Sequence, residues 1–479
     1  MSQTTASLDP DHPALALAFR HLSDAAGPRP DVTDRRKSLA ALARALGRHE
    51  DGLIAAVDAD FGGRTAAETR LLELLPLYDQ IAHARRHLRG WMRRRRVAGS
   101  RFLWPARAFY EYQPLGVVGV IGAWNYPVLL TLGPMVDALA AGNRVLVKPS
   151  ELAPRTAEAL AALVAEAFPP GQVAVVTGDA ALARALTRLP LDHLVFTGST
   201  RVGREVMRAA ADNLTPVTLE LGGKSPAILH DSADLGRAVP RLMTGKLLNA
   251  GQTCVAPDYA LVPPSRMAEF EAEARRAVAA LFPNGLNGDY TRIISDRHLE
   301  RLKGLVAEAR EGGARVVELA PVPAGPNGRL MPPMLVFDAP EDSALMREEI
   351  FGPILPVIPA PTLDDALAFV NARPRPLALY CFAEDGARQD EVLARTMSGG
   401  VTFNDCMFHV GQLNLPFGGV GASGTGEYHG FDGFARFSKK RPVMVQPRLA
   451  STGLARPPWG ARRRLIGAML AFARRAARR

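Results

Sequence analysis

Cysteine is nearly absent from this 479-residue chain: Cys254, Cys381 and Cys406 are the whole supply. Three thiols cannot build a disulfide framework, so a stapled secreted scaffold is excluded and a reducing, cytoplasmic setting is expected. The N-terminus "MSQTTASLDPDHPALALAF" lacks the basic-then-apolar order of a secretory signal. One stretch, "LGVVGVIGAWNYPVLLTLGPMV" (115–136), has the length of a bilayer span, but Asn125, Pro127, Pro134 and several glycines interrupt it. A buried strand, a loop and a helix start account for it better.

The formal charge of +10 would suggest a nucleic-acid partner if it were spread over the fold. Residues 451–479, however, hold eight arginines (456, 462, 463, 464, 474, 475, 478 and 479) and no acid, which leaves +2 for residues 1–450. The excess is assigned to a tail, and no nucleic-acid partner is expected.

What is present reads as α/β. Residues 12–95 carry apolar positions at helical spacing, as in "RRKSLAALARALGRHEDGLIAAVDADF", and "RGWMRRRRVAGS" looks like a solvated basic helix end. "RFLWPARAFYEYQPLG" alternates and predicts a strand or hairpin. From Gly116 short β-branched runs ("GVVGVIGA", "NRVLVKP", "GQVAVVTG", "LDHLVFTG", "PVTLEL") alternate with helical stretches, the first starting at about Gly133. That predicts a parallel sheet covered by helices on both faces, with ligands outside the carboxyl ends of its strands. After Cys254, runs such as "YALVP", "ILPVIPA" and "LALYCFA" predict a second α/β domain of similar size.

No good copy of G-x-G-x-x-G is present. The fourth strand is followed by "FTGSTRVG", with Gly198, Ser199, Thr200 and Gly203 at a strand-to-helix turn. Its glycines let the backbone approach a ligand and its helix N-terminus offers N–H groups to phosphate; it also reads as an ordinary helix start. Lys148 and Glu151 in "KPSELAP" are either a ribose-binding pair or a lysine and a helix cap. Asn125 in "GAWNYP" is either a turn former or an N–H donor to developing negative charge. Glu220 lies next to last in "VTLEL", where a carboxylate is rarely buried without a partner or a task. Cys254, in the turn-forming "NAGQTCVAPDYAL", is either core filler or a nucleophile within reach of substrate. Cys381 reads as core strand.

Together these segments resemble the NAD(P)-dependent aldehyde dehydrogenase superfamily over residues 30 to 446. "WNYP", "VLVKPSE", "FTGSTRVG", "LELGGKSP", "NAGQTCVAPDY", "EEIFGP" and "LPFGGVGASGTG" occur in the family's order. Within it the chain is most similar to the class 3 type and to bacterial coniferyl-aldehyde dehydrogenases. The resemblance implies a Rossmann-like nucleotide domain (1–100 and 114–221), an α/β catalytic domain (222–411), bridging elements that pair subunits (101–113 and 412–446) and a basic tail (447–479). It implies Cys254 as nucleophile, Glu220 as general base, and Asn125 with the Cys254 N–H as oxyanion donors. Lys148 and Glu151 match the ribose pair, Gly198 to Gly203 the pyrophosphate turn, and Glu349 and Phe351 the residues at the nicotinamide ribose and ring. Asn404 and His409 border the active site in class 3 relatives and receive no role; Cys406 matches no required one. NAD is the implied coenzyme, because Glu151 would repel a 2′-phosphate, with NADP open because class 3 relatives often accept both. A homodimer is implied, and no metal site is assigned.

The implied reaction turns an aldehyde into its acid through a thiohemiacetal and a thioester on Cys254. The substrate is an aromatic aldehyde such as coniferyl aldehyde, or a medium- or long-chain fatty aldehyde met at a membrane surface. A rival class is a cysteine hydrolase or thioesterase pairing Cys254 with a histidine such as His409, without nucleotide; it leaves the parallel sheet and "FTGSTRVG" unexplained. Intact Cys254, Glu220 and Asn125 argue against a non-catalytic binding protein. In the tail, "GARRRLIGAMLAFARRAARR" has an apolar centre of nine residues, too few to cross a bilayer. As a helix it would show Leu465, Ile466, Met469 and Phe472 on one side, with arginine at both ends. That fits a helix lying on an anionic membrane surface; a tail without structure and a helix docked on a partner subunit are the alternatives.

Overall fold

The computed structural model describes residues 11–25, 27–99, 103–323, 328–448, 450, 452–453 and 456–478. It divides into a smaller unit, Arg89–Gln113 with Lys439–Arg479, and a larger one made of the rest.

The smaller unit is built on a three-stranded sheet in the order β1 (Arg95–Val97), β2 (Arg107–Pro114), β16 (Ser438–Val445). The arginine run expected to end a helix is thus partly a strand: Arg95, Arg96 and Val97 pair antiparallel with Tyr110, Phe109 and Ala108. Successive like charges repel on a helix face, whereas here Arg94 Nε donates to Glu111 at 3.1 Å and its guanidinium lies over Phe109. Charge is also segregated more widely than the tail. The smaller unit's sequence holds nineteen Lys and Arg against one acid, Glu111, a net +18 that leaves −8 for the rest of the chain. Its last helix, Arg463–Ala477, exposes Leu465, Ile466, Leu470 and Phe472. Among the described residues no helix is long and apolar enough to cross a membrane.

The larger unit holds two sheets. The first has the order β15 (Gly424–Thr425), β7 (Val217–Leu221), β6 (His193–Gly198), β3 (Val117–Ile121), β4 (Arg144–Lys148), β5 (Val173–Val175). Strands β3 to β7 are parallel and largely buried, which is why they read as near-continuous apolar runs. From β3 the chain moves outward through β4 and β5, then returns to β6 and β7 on the other side. The carboxyl ends of β3 and β6 therefore flank the crevice of a Rossmann-like sheet. The second sheet has the order β10 (Arg315–Glu318), β11 (Met334–Phe337), β12 (Ile354–Pro359), β9 (Tyr259–Val262), β8 (Pro226–Leu229), β13 (Ala378–Phe382), β14 (Gly400–Phe403). Only its edge strand β10 is antiparallel.

Two boundaries differ from expectation, and both are set from a distance. The helix expected from Gly133 begins at Leu129 and carries Pro134 within it. Its first N–H groups are satisfied by a side chain far away in sequence, Glu73, which accepts from Val128 and Leu129. In the stretch 412–446, only Ser438–Val445 joins the three-stranded sheet; Gly424–Thr425 instead extends the first sheet beside β7. Gly424 makes that approach, at φ 148, where an added Cβ would overlap the Leu219 carbonyl.

Candidate active site

Beyond β3 the segment Gly122–Val128 is tied to the residues before Cys254. Asn125, 3 % exposed, donates from Nδ2 to the Gln252 carbonyl at 3.1 Å. Tyr126 Oη lies 2.7 Å from Thr253 Oγ1. The Gln252 side chain secures the far side, donating to the Asn249 and Arg292 carbonyls and accepting from the Ile294 N–H at 2.9 Å. Ahead of it Asn249 (φ 52), Ala250 (φ 52) and Gly251 (φ 74) are left-handed in succession, a turn that only its glycine announces in the sequence. Cys254 emerges partly exposed, whereas Cys381 and Cys406 are buried.

Two carboxyl groups complete the cluster. Glu220, near the carboxyl end of β7, is buried with no hydrogen-bond partner at either oxygen. Burial pushes it well above the usual carboxylate range; Arg436 opposes this and Glu427 adds to it. Glu349 packs over Gly222, where an added Cβ would overlap its carboxyl group. Burial, helped by Asp258, lifts Glu349 to about 8. Glu349 is therefore mainly protonated at neutral pH. Burial, then Glu349, then Glu220 push the Cys254 thiol up to about 12, so its resting form is the thiol.

Phe351, also left-handed at φ 53, meets Trp124 edge-on at 5.3 Å and so packs against the Asn125 segment. Asn404 turns out to hold a tight corner: at φ 59 it exchanges hydrogen bonds of 2.9 and 3.1 Å with the Ala383 main chain. His409 lies 3.0 Å from Thr402 Oγ1 through Nδ1, and burial lowers its pKa to about 4, leaving it neutral. One residue absent from the sequence-based assignments joins the cluster. Tyr428, 2 % exposed, is raised first by burial and then by the nearby Glu220 and Cys254. "GEYHGF", two polar aromatics next to a glycine-rich motif, carried the signal for it.

At the crevice, Lys148 Nζ, at the end of β4, donates to Glu151 at 2.7 Å, the lysine buried and the glutamate exposed. At the end of β6, Ser199 Oγ accepts from the Val202 N–H at 3.4 Å and caps the helix Thr200–Ala211. Gly203 lets that helix close on β7, since a Cβ there would sit 2.6 Å from Leu221 Cδ2. The N-terminus of the helix Thr200–Ala211, the lysine–glutamate pair at the end of β4 and a buried, unpartnered Glu349 Oε1 fit the phosphates and ribose hydroxyls of a dinucleotide.

The family model described as "Aldehyde dehydrogenase family" matches residues 24–443. The chain is 52% identical over 437 residues, 91% of each protein, to a Pseudomonas aeruginosa protein named "Probable coniferyl aldehyde dehydrogenase". It is 45% identical, over 86% of each, to the "Coniferyl aldehyde dehydrogenase" of Pseudomonas sp. strain HR199. Among solved structures, Staphylococcus aureus AldH in a substrate-bound state superposes at a TM-score of 0.90 with 34% identity, over 95% of this chain and 99% of that one. An aldehyde dehydrogenase of Mycobacterium tuberculosis complexed with NAD+ does so at 0.81 with 31% identity, over 91% and 89%. Neither the hydrolase nor the binding-protein reading finds support in these matches. With a parallel-sheet crevice, Cys254 near two buried carboxyl groups, and likeness over nearly its whole length, the chain belongs to the aldehyde dehydrogenase family and is an NAD(P)-dependent enzyme.

Proposed function

We propose that this enzyme oxidises aromatic aldehydes of the coniferyl kind, with Cys254 as nucleophile. One observation supports this above the rest: the Cys254 loop is fastened to the Asn125 amide through Gln252, with Glu220 and Glu349 beside the thiol. Cys254 Sγ gives up its proton to solvent water and adds to the aldehyde carbon, and the carbonyl π pair moves onto oxygen. Asn125 keeps a second amide N–H for that oxygen, alongside the Cys254 N–H. A bound nicotinamide coenzyme would supply the acceptor for the hydride on that carbon, and the acyl group would then stay on Cys254 as a thioester. Glu220, once ionised, draws a proton from water, which cleaves the thioester and returns the thiol. Lys148, Glu151 and the Gly198–Gly203 turn would hold the adenosine and phosphates, and Glu349 and Phe351 the nicotinamide ribose and ring. The exposed Glu151 carboxylate favours NAD over NADP by repelling a 2′-phosphate.

The test is initial NADH formation over benzaldehyde, coniferyl aldehyde and C4 to C16 aliphatic aldehydes, with both coenzymes. Highest kcat/KM on coniferyl aldehyde with NAD supports the reading; highest kcat/KM on long aliphatic aldehydes replaces it.

A cytoplasmic homodimer in peripheral contact with the inner membrane face is the associated reading. The smaller unit's net +18 and the helix Arg463–Ala477, with exposed apolar side chains between arginines, suit an anionic lipid surface. Co-sedimentation with anionic vesicles, comparing the full chain with one ending at Gln446, tests the tail; equal binding by both removes its role.

A further inference from the structure

Arg64 lies outside every motif singled out above, in "FGGRTAAE", yet its side chain is wholly buried. Its Nη1 donates to the main-chain carbonyl of Asn125 at 3.0 Å and pairs with Glu73 at 3.0 Å, and its guanidinium lies over the Tyr126 ring. Glu73, equally buried, uses its other oxygen to accept from Val128 (2.7 Å) and Leu129 (3.1 Å). One buried pair thus grips the segment from Asn125 to Leu129 at both ends.

The same helical stretch also reaches the cysteine loop. The Asn125 carbonyl that receives Arg64 also accepts from Asn249 Nδ2 at 2.9 Å, and the Asn249 N–H donates to Glu68 at 2.6 Å. Glu68 is in the short helix Ala66–Thr69, and Glu73 in the π turn Arg70–Leu74 that continues it. The wider turn of a π helix brings positions five apart towards one face, and such turns recur at functional sites.

Stability does not explain this arrangement. A buried ion pair loses in desolvation much of what it gains in attraction. Arg64 Nε and Nη2 also have no hydrogen-bond partner, a further cost. The pair is aimed at the two segments that flank the thiol.

We infer that Arg64, held by Glu73, is a positioning residue: by fixing the Asn125 carbonyl it orients the Asn125 amide towards the aldehyde oxygen as Cys254 adds. This rests on the reading of Asn125 as an oxyanion donor.

A double-mutant cycle on the full-length enzyme tests it: Arg64→Met and Asn125→Ala, singly and combined. The readouts are first-turnover NADH formation from benzaldehyde at saturating NAD, KM for NAD, and thermal midpoint. Each single change should slow the first turnover by about 10²-fold, and KM for NAD should stay unchanged. The double variant should be no slower than Asn125→Ala alone, because Arg64 acts through that amide. Losses that multiply would overturn the positioning role while leaving Asn125 its own. An Asn125→Ala enzyme at the parental rate would remove the oxyanion reading and this inference with it. If Arg64→Met does not fold, Arg64→Lys keeps the charge beside Glu73 and enters the same cycle. Its smaller loss must then vanish in the Asn125→Ala background.

Discussion

Glu220 and Gly424 face each other across the antiparallel edge of the six-stranded sheet. On that edge the Leu221 N–H donates to the Ser423 carbonyl at 3.1 Å, so the strand carrying the carboxyl group is held by the glycine segment. An added Cβ on Gly424 would overlap the Leu219 carbonyl, at a φ of 148 that L side chains rarely adopt. Gly424→Ala should therefore cost about 1–3 kcal/mol, read from the urea midpoint, and lower turnover in the enzyme that remains folded. An unchanged midpoint would contradict so close an approach.

Glu220→Gln keeps the shape of the side chain but cannot take a proton. Stopped-flow absorbance should record a first turnover of NADH at near full amplitude, then a steady rate lower by about 10²- to 10⁴-fold. A variant cycling at the parental rate would remove Glu220 from thioester hydrolysis.

With burial, Glu349 and Glu220 pushing the Cys254 thiol up to about 12, little thiolate exists at neutral pH without coenzyme. Iodoacetamide labelling of the free enzyme should rise about tenfold per pH unit from 7 to 10, because only the thiolate reacts. Peptide mapping should find the label on Cys254 and not on the buried Cys381 or Cys406. A plateau near pH 8 would mean that the thiol is already activated.

Asp137, on the inner helix Leu129–Ala141, is lifted to about 7 by burial, against hydrogen bonds from Gln80 and the His429 N–H. Its unfolded value is about 3.9, so the folded chain holds that proton more tightly. The associated stability is present at low pH and lost as pH rises through about 7. Asp137→Asn removes this titration. Its Tm, relative to the parent, should become more favourable between pH 5 and pH 8. A difference that does not move over that range would show that Asp137 does not titrate there.

The sheets are legible because each strand carries its own local signal, and the candidate site residues are nominated in the same way. Cys254 stood in turn-forming sequence, Glu220 in an apolar strand, and the Gly198–Gly203 turn between strand and helix. What escaped were partnerships between distant segments. Nothing near Leu129 announces that Glu73 will start its helix, and nothing near Arg64 announces the Asn125 carbonyl. The arginine run at 93–96 reads locally as a helix end because its partners, Phe109, Tyr110 and Glu111, lie on the next strand. The charge excess looks confined to the tail for a related reason: two stretches far apart in sequence fold into one basic unit.

The left-handed run Asn249, Ala250 and Gly251 bears on anyone who would redesign this catalyst for new aldehydes. A β-branched side chain at Ala250 is penalised in that backbone region, and Gly251 has no room for a side chain against the Gly352 carbonyl. Randomised libraries that include these positions will consist mostly of inactive clones, however well the rest of the design is chosen. Diversity is better spent elsewhere, with Asn249, Ala250 and Gly251 left untouched.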